Sequence, residues 1–141
     1  MLAEVLSWLL TPATMDARRT GHLTAAVSLW SRAWRCRADW SAHEAHCRAI
    51  VARAVTSLPR RRTCLVLGSG LMRDVSLDDL AAAFDKVILV DVVHLWPIRL
   101  AARRRRNVAL VDLDITGTTD LLLGRATGIA DPLGRFRSDP D

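Results

Sequence analysis

The sequence predicts an α/β fold in which a helical N-terminal region precedes a partial parallel sheet of three strands. Apolar residues recur at helical spacing up to about residue 58, and three short continuous apolar runs follow. Stretches of helical character separate those runs, which is the alternation expected of parallel strands joined by crossover helices. A length of 141 residues suits one domain. A composition that is 50% hydrophobic and 25% charged supplies a core and excludes an intrinsically disordered chain.

Residues 2–10 read as a short helix that Thr11-Pro12 ends, because proline disfavours a helical conformation in the residue before it. A second helical segment is expected from near Asp16 past Trp34. Its residues Leu23, Val27, Trp30 and Trp34 lie four, three and four apart and form one stripe, read as core. Asp39-Trp40-Ser41 is expected to interrupt it. Ser41-Ala42-His43-Glu44 then matches a capping box that opens a third helix from about Ala42 to Leu58. Pro59 and Arg60 to Arg62 form a short connector.

Thr63 to Leu67 is a continuous apolar run bounded by Gly68-Ser69-Gly70, as for a strand buried on both faces that ends in a tight turn. Ser76 is expected to cap a short helix reaching about Phe84, with acids at its positive end. Lys86 to Asp91 reads as the second strand. Leu95 to Arg106 follows as a helix with Pro97 in its first turn, and Val108 to Asp112 as the third strand. One helical turn is expected within Thr118 to Gly124, and Gly128 to Asp141 shows no periodicity.

Several function classes are disfavoured. Cys36, Cys47 and Cys64 are odd in number and include no CxxC pair, so neither a disulfide scaffold nor a zinc ribbon is indicated, and a reducing cytoplasm fits. His43, His46 and Cys47 are close together but lack the spacing of a metal site. Cys64 belongs to a strand, where a buried thiol stays neutral. The apolar stretch from Val5 to Leu10 is far shorter than the roughly 20 residues that span a bilayer, and no basic region of a secretory signal precedes it. The chain is therefore expected to be untargeted, with no membrane partner.

The net charge of +5 is unevenly placed. Residues 1–62 hold ten Arg against four acids, whereas 63–141 hold ten basic residues against eleven acids. Nineteen of the twenty basic residues are Arg and thirteen of the fifteen acids are Asp, a bias that compositional drift explains as well as recognition does.

The chemistry concentrates where the strands end. Glycine lets a chain turn sharply and lets a ligand approach backbone without meeting a Cβ. Asp91 lies twenty-three residues after Gly68, near the spacing at which an acid ending the second strand accepts hydrogen bonds from ribose hydroxyls. A nucleoside-containing cofactor is the expected ligand. In Gly68-Ser69-Gly70-Leu71-Met72-Arg73 an arginine stands where the dinucleotide fingerprint requires a third Gly or Ala, which disfavours NAD and FAD, and no Gly-Lys-Ser/Thr of a P-loop occurs.

Val66-Leu67-Gly68-Ser69-Gly70, Val90-Asp91-Val92 and Val111-Asp112-Leu113-Asp114 together resemble the first three cofactor motifs of class I S-adenosylmethionine-dependent methyltransferases. The longer stretch LVLGSGLMRDVSLDDLAAAFDKVILVDVVHL and the later DITG resemble a group of uncharacterised bacterial proteins with a methyltransferase-like fold, over roughly residues 28–117. The resemblance implies a partial Rossmann-like sheet with S-adenosylmethionine as cofactor. It implies that the loop of Gly68, Ser69 and Gly70 passes the methionine part, that Asp91, with Val92 beside it, holds the ribose, and that Asp114, or in its place Asp112, approaches the adenine amino group. The expected organisation is a helical cap over 1–62, a Rossmann-like nucleoside-binding half over 63–117 and a loose tail over 118–141.

Such enzymes have a seven-stranded sheet, whereas three strands are legible here and the pattern stops before the fourth. The expectation is thus a shortened methyltransferase-like domain that binds a nucleoside, with no residue identified as a catalytic base and turnover left open. A strand left at a sheet edge invites pairing, so a homo-oligomer through that edge is expected. The competing reading is a non-enzymatic, Arg-rich helical module for nucleic acid or an acidic protein, which requires Arg32, Arg35, Arg48, Arg53 and Arg60 to Arg62 to form one face.

Overall fold

The computed structural model describes residues 2–125. Its elements run α1 (Leu2–Leu10), α2 (Met15–Arg19), α3 (His22–Arg35), α4 (Arg37–Ser57), β1 (Thr63–Leu67), α5 (Leu77–Ala83), β2 (Lys86–Asp91), α6 (Trp96–Arg103), β3 (Val108–Asp112) and α7 (Thr118–Leu122). The three strands form one parallel sheet in the order β1-β2-β3, with Thr63 to Leu67 beside Lys86 to Val90, and Val87 to Asp91 beside Val108 to Asp112. The fold is α/β with a partial parallel sheet. No helix among the described residues is long and apolar enough to cross a membrane.

Alternation along each strand fixes the two faces of the sheet. Cys64, Val66, Val87, Leu89, Val108 and Leu110 face one way. They pack against Leu77, Leu80 and Phe84 of the α5 segment, Val51 and Val55 of α4, and Ile98 and Ala101 of α6. The opposite face is thinly covered: Leu65 and Leu67 are 56% and 58% exposed. This corrects the expectation of a first strand buried on both sides. An apolar run reports that a strand is able to be buried, and α4, α5 and α6 all stack on the other face, while α2 and α3 pack against the rim.

A second core joins the N-terminal helices to the rim of the sheet, where Ala17, Leu23, Val27, Val93 and Leu95 are buried together. Two polar ties reinforce the junction. The Thr11 hydroxyl donates to the Ser7 carbonyl at 2.7 Å and accepts from Trp96 N–H at 3.1 Å, so a residue far away in sequence satisfies a free donor at the start of α6. Arg99 donates to the Pro12 carbonyl.

The helical region departs from expectation in three places. Thr20 and Gly21, the latter at φ +79°, split the second segment into α2 and α3. The break expected at Asp39 to Ser41 lies at Cys36 instead, and α4 begins at Arg37. The capping box does not form: Ser41 sits inside α4 and its hydroxyl donates back to the Ala38 carbonyl, while Glu44 is taken by Arg73. Trp34 is 60% exposed and lies under the Arg37 guanidinium rather than in the core.

Other expectations stand. Ser76 caps α5 by accepting from Asp79 N–H at 3.2 Å, and Pro97 occupies the first turn of α6. The segment α7 supplies the single turn expected after Gly117. The remainder of the proposed tail, from residue 126, lies outside the described residues.

Candidate functional site at the sheet rim

Parallel strands deliver their C-terminal ends, and the loops that follow, to one rim, which is where open α/β sheets bind ligands. Gly68, Ser69 and Gly70 follow β1, Asp91 and Val92 close β2, and Asp112 and Asp114 close β3. Gly68 and Gly70 have φ of +64° and +50°, so a side chain at either is disfavoured by the backbone itself, although a Cβ would meet open space at Gly68 and only an ordinary contact at Gly70. Met72 shares this left-handed conformation at φ +52°, which is strained for a residue with a side chain.

Asp91 is the hub of the rim. Its Oδ2 accepts from Gly70 N–H at 2.6 Å and its Oδ1 from Val92 N–H at 2.7 Å. Both backbone donors thus point at one carboxylate, and each oxygen keeps a further lone pair for an incoming hydroxyl.

A second chain of polar contacts lies below the rim. The Ser69 hydroxyl and His94 Nε2 are 3.0 Å apart, and His94 Nδ1 is 2.7 Å from Asp112 Oδ1. Arg99 holds the other oxygen of Asp112 and also donates to the His94 carbonyl. The order serine, histidine, aspartate is that of a hydrolytic triad. However, His94 has no solvent exposure and Arg99 already neutralises Asp112. No leaving group has a path to the imidazole, so the network is a strut that fixes the glycine loop to β2 and β3. Burial pushes the Asp112 carboxyl up, but the hydrogen bonds from His94 and Arg99 outweigh it and hold the group below the usual carboxylate range.

Asp114 is engaged by its own loop. Its Oδ1 accepts from the N–H groups of Thr116 and Gly117 and from the Thr116 hydroxyl, and its Oδ2 accepts from Thr119 N–H at 2.6 Å. Burial pushes its pKa up, yet these donors together outweigh burial and hold it far below the ordinary value.

Three cavities follow the rim in strand order. The largest, roughly 500 Å³, lies between α3, the start of α4 and the glycine loop, and Gly68, Ser69 and Gly70 line it. The next, about 210 Å³, is lined by Gly70, Asp91 and Val93 beneath α3. The third, about 190 Å³, is lined by Val92, Asp112 and Asp114. The structure therefore brings Gly68, Ser69, Gly70 and Asp91 together, and places Val92 and Asp114 at a neighbouring hollow.

Sequence reasoning missed what holds the loop in place. Arg73, which stands where the dinucleotide fingerprint has a small residue, makes a bidentate pair with Glu44 at 2.5 and 3.0 Å. Arg48 donates to the Arg73 carbonyl. The helical cap is thereby pinned to the rim, and the only signal in the sequence was the misfit of Arg73 to the fingerprint. Elsewhere, Cys47 Sγ and His43 Nε2 are 3.5 Å apart, but no group of three or more His, Cys, Asp or Glu able to hold a metal ion occurs among the described residues. Burial pushes the Cys64 thiol up, which disfavours its nucleophilic form.

Compared with family models, with curated proteins and with solved structures, the chain finds no match.

Proposed function

We propose that the rim binds S-adenosylmethionine or a closely related nucleoside, and that the chain is a methyltransferase-like domain. The observation that carries the reading is the convergence of Gly70 and Asp91: a glycine loop and a second-strand carboxylate meet at 2.6 Å beside an open cavity at the C-terminal rim of a parallel sheet. The free lone pairs of Asp91 suit the two ribose hydroxyls. The order of the hollows suits a ligand laid from the glycine loop, past Asp91, toward Val92 and Asp114. S-adenosylmethionine would bring its own activated methyl group, and this chain's residues would bind and orient it. Isothermal titration tests this: S-adenosylmethionine binds the wild-type chain and Asp91→Ala loses most of the affinity. A folded wild-type chain that takes up no nucleoside refutes the reading.

Self-association belongs to the same proposal. Among the described residues β1 pairs only with β2, and Leu65 and Leu67 are exposed on its bare face. Light scattering over a concentration series is expected to show a dimer that Leu67→Glu disrupts, and a monomer at all concentrations rejects it.

A further inference from the structure

Three basic segments meet at the end of the sheet opposite the rim. Arg60, Arg61 and Arg62 lead into β1, Lys86 begins β2, and Arg103 to Arg106 connect α6 to β3. Backbone hydrogen bonds set them side by side: Asp85 N–H donates to the Arg61 carbonyl at 3.0 Å, Lys86 N–H to the Arg62 carbonyl at 2.9 Å, and Val87 N–H to the Asn107 carbonyl at 2.8 Å. Neighbouring strands lie about 5 Å apart, so these cations start from one narrow strip. Two of them serve the fold: Arg61 donates to the Thr56 carbonyl at the end of α4, and Arg105 donates to the Ala101 carbonyl and pairs with Asp78. Arg60, Arg62, Lys86, Arg103, Arg104 and Arg106 are exposed, and none of their side chains has a hydrogen-bond or ion-pair partner among the described residues. Asp85 is the one acid within the three segments, and Asp79 shares a hollow with Arg61. The dipole of α6 favours cations at its own end, but it gives no reason for Arg60, Arg62 and Lys86 to stand beside them, where like charges repel.

We propose that this strip is a docking surface for duplex DNA, held through its phosphates and without reading sequence. Arginine forks and a lysine point charge are the groups that grip phosphate. Single strands are held by stacking on aromatic side chains, and these segments contain none. Duplex RNA is distinguished through its 2′-hydroxyls, yet the one amide here, Asn107, is spent on the Ala81 and Phe84 carbonyls. The residues are not those of the Arg-rich face expected from sequence: Arg32 lines the cavity beside the glycine loop, and Arg48 is taken by the Arg73 carbonyl. The surface also stands apart from the nucleoside reading, because strands of this length put roughly 16 Å between the two ends of the sheet. DNA held here is anchored to the chain rather than presented to Gly70 and Asp91.

The test is fluorescence anisotropy with labelled DNA duplexes of two unrelated sequences over a salt series. Both duplexes are expected to bind equally, with log affinity falling against log salt at a slope of about −5 if all six free cations meet phosphates. Arg60→Gln with Arg62→Gln, and separately Arg104→Gln with Arg106→Gln, should each weaken binding at least about tenfold and flatten the slope by about two. Arg19→Gln with Arg53→Gln removes the same charge from exposed sites elsewhere and is expected to bind like wild type. Melting temperatures show that every variant is folded, since none of these substitutions at the strip removes a contact of the fold. Absence of duplex binding by the wild-type chain, or strip variants no weaker than the Arg19 and Arg53 pair, overturns the proposal. So does tighter binding to single-stranded DNA, duplex RNA, phosphatidylserine vesicles or polyglutamate than to the duplex. None of these outcomes bears on the nucleoside reading, which uses a different probe and the other end of the sheet.

Discussion

The backbone N–H of Gly70 donates to Asp91 Oδ2 at 2.6 Å, joining the loop after β1 to the last residue of β2. Because Val92 N–H occupies the other oxygen, Asp91 ties together the loop after β1 and the end of β2. Asp91→Ala strips two donors of their partner and is expected to lower stability by about 2 kcal/mol. Asp91→Asn, which keeps one acceptor, is expected to lose less. Urea denaturation of the three proteins checks the order, and an Asp91→Ala chain as stable as wild type contradicts the structural role.

Glu44 and Arg73 form the corresponding tie between the cap and the loop. The Glu44 side chain is the more enclosed of the two, 10% exposed against 29%. Removing Arg73 leaves Glu44 with only Arg48, 3.9 Å away, whereas removing Glu44 leaves a guanidinium that water reaches. Arg73→Ala is therefore expected to cost about 2 kcal/mol and Glu44→Ala about half of that. A double-mutant cycle with Glu44→Leu and Arg73→Met measures the coupling, and costs that simply add contradict the tie.

The depressed pKa of Asp114 makes a statement about acid stability. A carboxyl whose folded pKa lies below its ordinary 3.8 contributes stability that is complete above that value and is lost as pH falls through the depressed one. Asp112 shifts in the same direction. Asp114→Asn is expected to be about 1 kcal/mol less stable than wild type near neutral pH, with the gap narrowing as pH falls below about 4. Chemical denaturation across that range checks the sign, and a gap that widens on acidification contradicts it.

How much was legible follows from where each signal lived. The three strands and Ser76 were readable because apolar runs and caps are local, and the glycine loop and Asp91 because their spacing along the chain reflects one crossover. The helical breaks were not. Gly21 was one glycine in a run that also read as helix, and Ser41 with Glu44 met the pattern of a cap while the Arg73 guanidinium offered Glu44 a better partner. Trp34 shared a stripe with Leu23 and Val27 yet projects beyond the contact, since spacing defines a face and not how far the neighbouring element reaches. The strut from Ser69 through His94 to Asp112 links three strand ends, and pairings of that range leave no trace in a single sequence. Asn107 is a similar case: its side-chain amide donates to the Ala81 and Phe84 carbonyls and closes the end of α5 from the far side of a crossover.

Ser7 presents the reverse situation, a polar group with no reward for its burial. Its hydroxyl is enclosed without a partner, while Leu6, Leu9 and Leu10 around it are exposed. Ser7→Ala removes an unsatisfied hydroxyl from a helix interior and leaves intact the carbonyl that accepts from Thr11. The variant is expected to gain up to about 1 kcal/mol. A rise in melting temperature supports the burial of an unpartnered Ser7 hydroxyl, and a clear loss contradicts it.

The central claim, a nucleoside cradle along the strand ends, is tested most directly by amide-resolved NMR titration with S-adenosylmethionine. The expected result is saturable shifts at Gly68, Ser69, Gly70 and Val92 that Asp91→Ala abolishes. Shifts confined to the Arg-bearing outer surfaces of α3 and α4, or none at saturating ligand, contradict it.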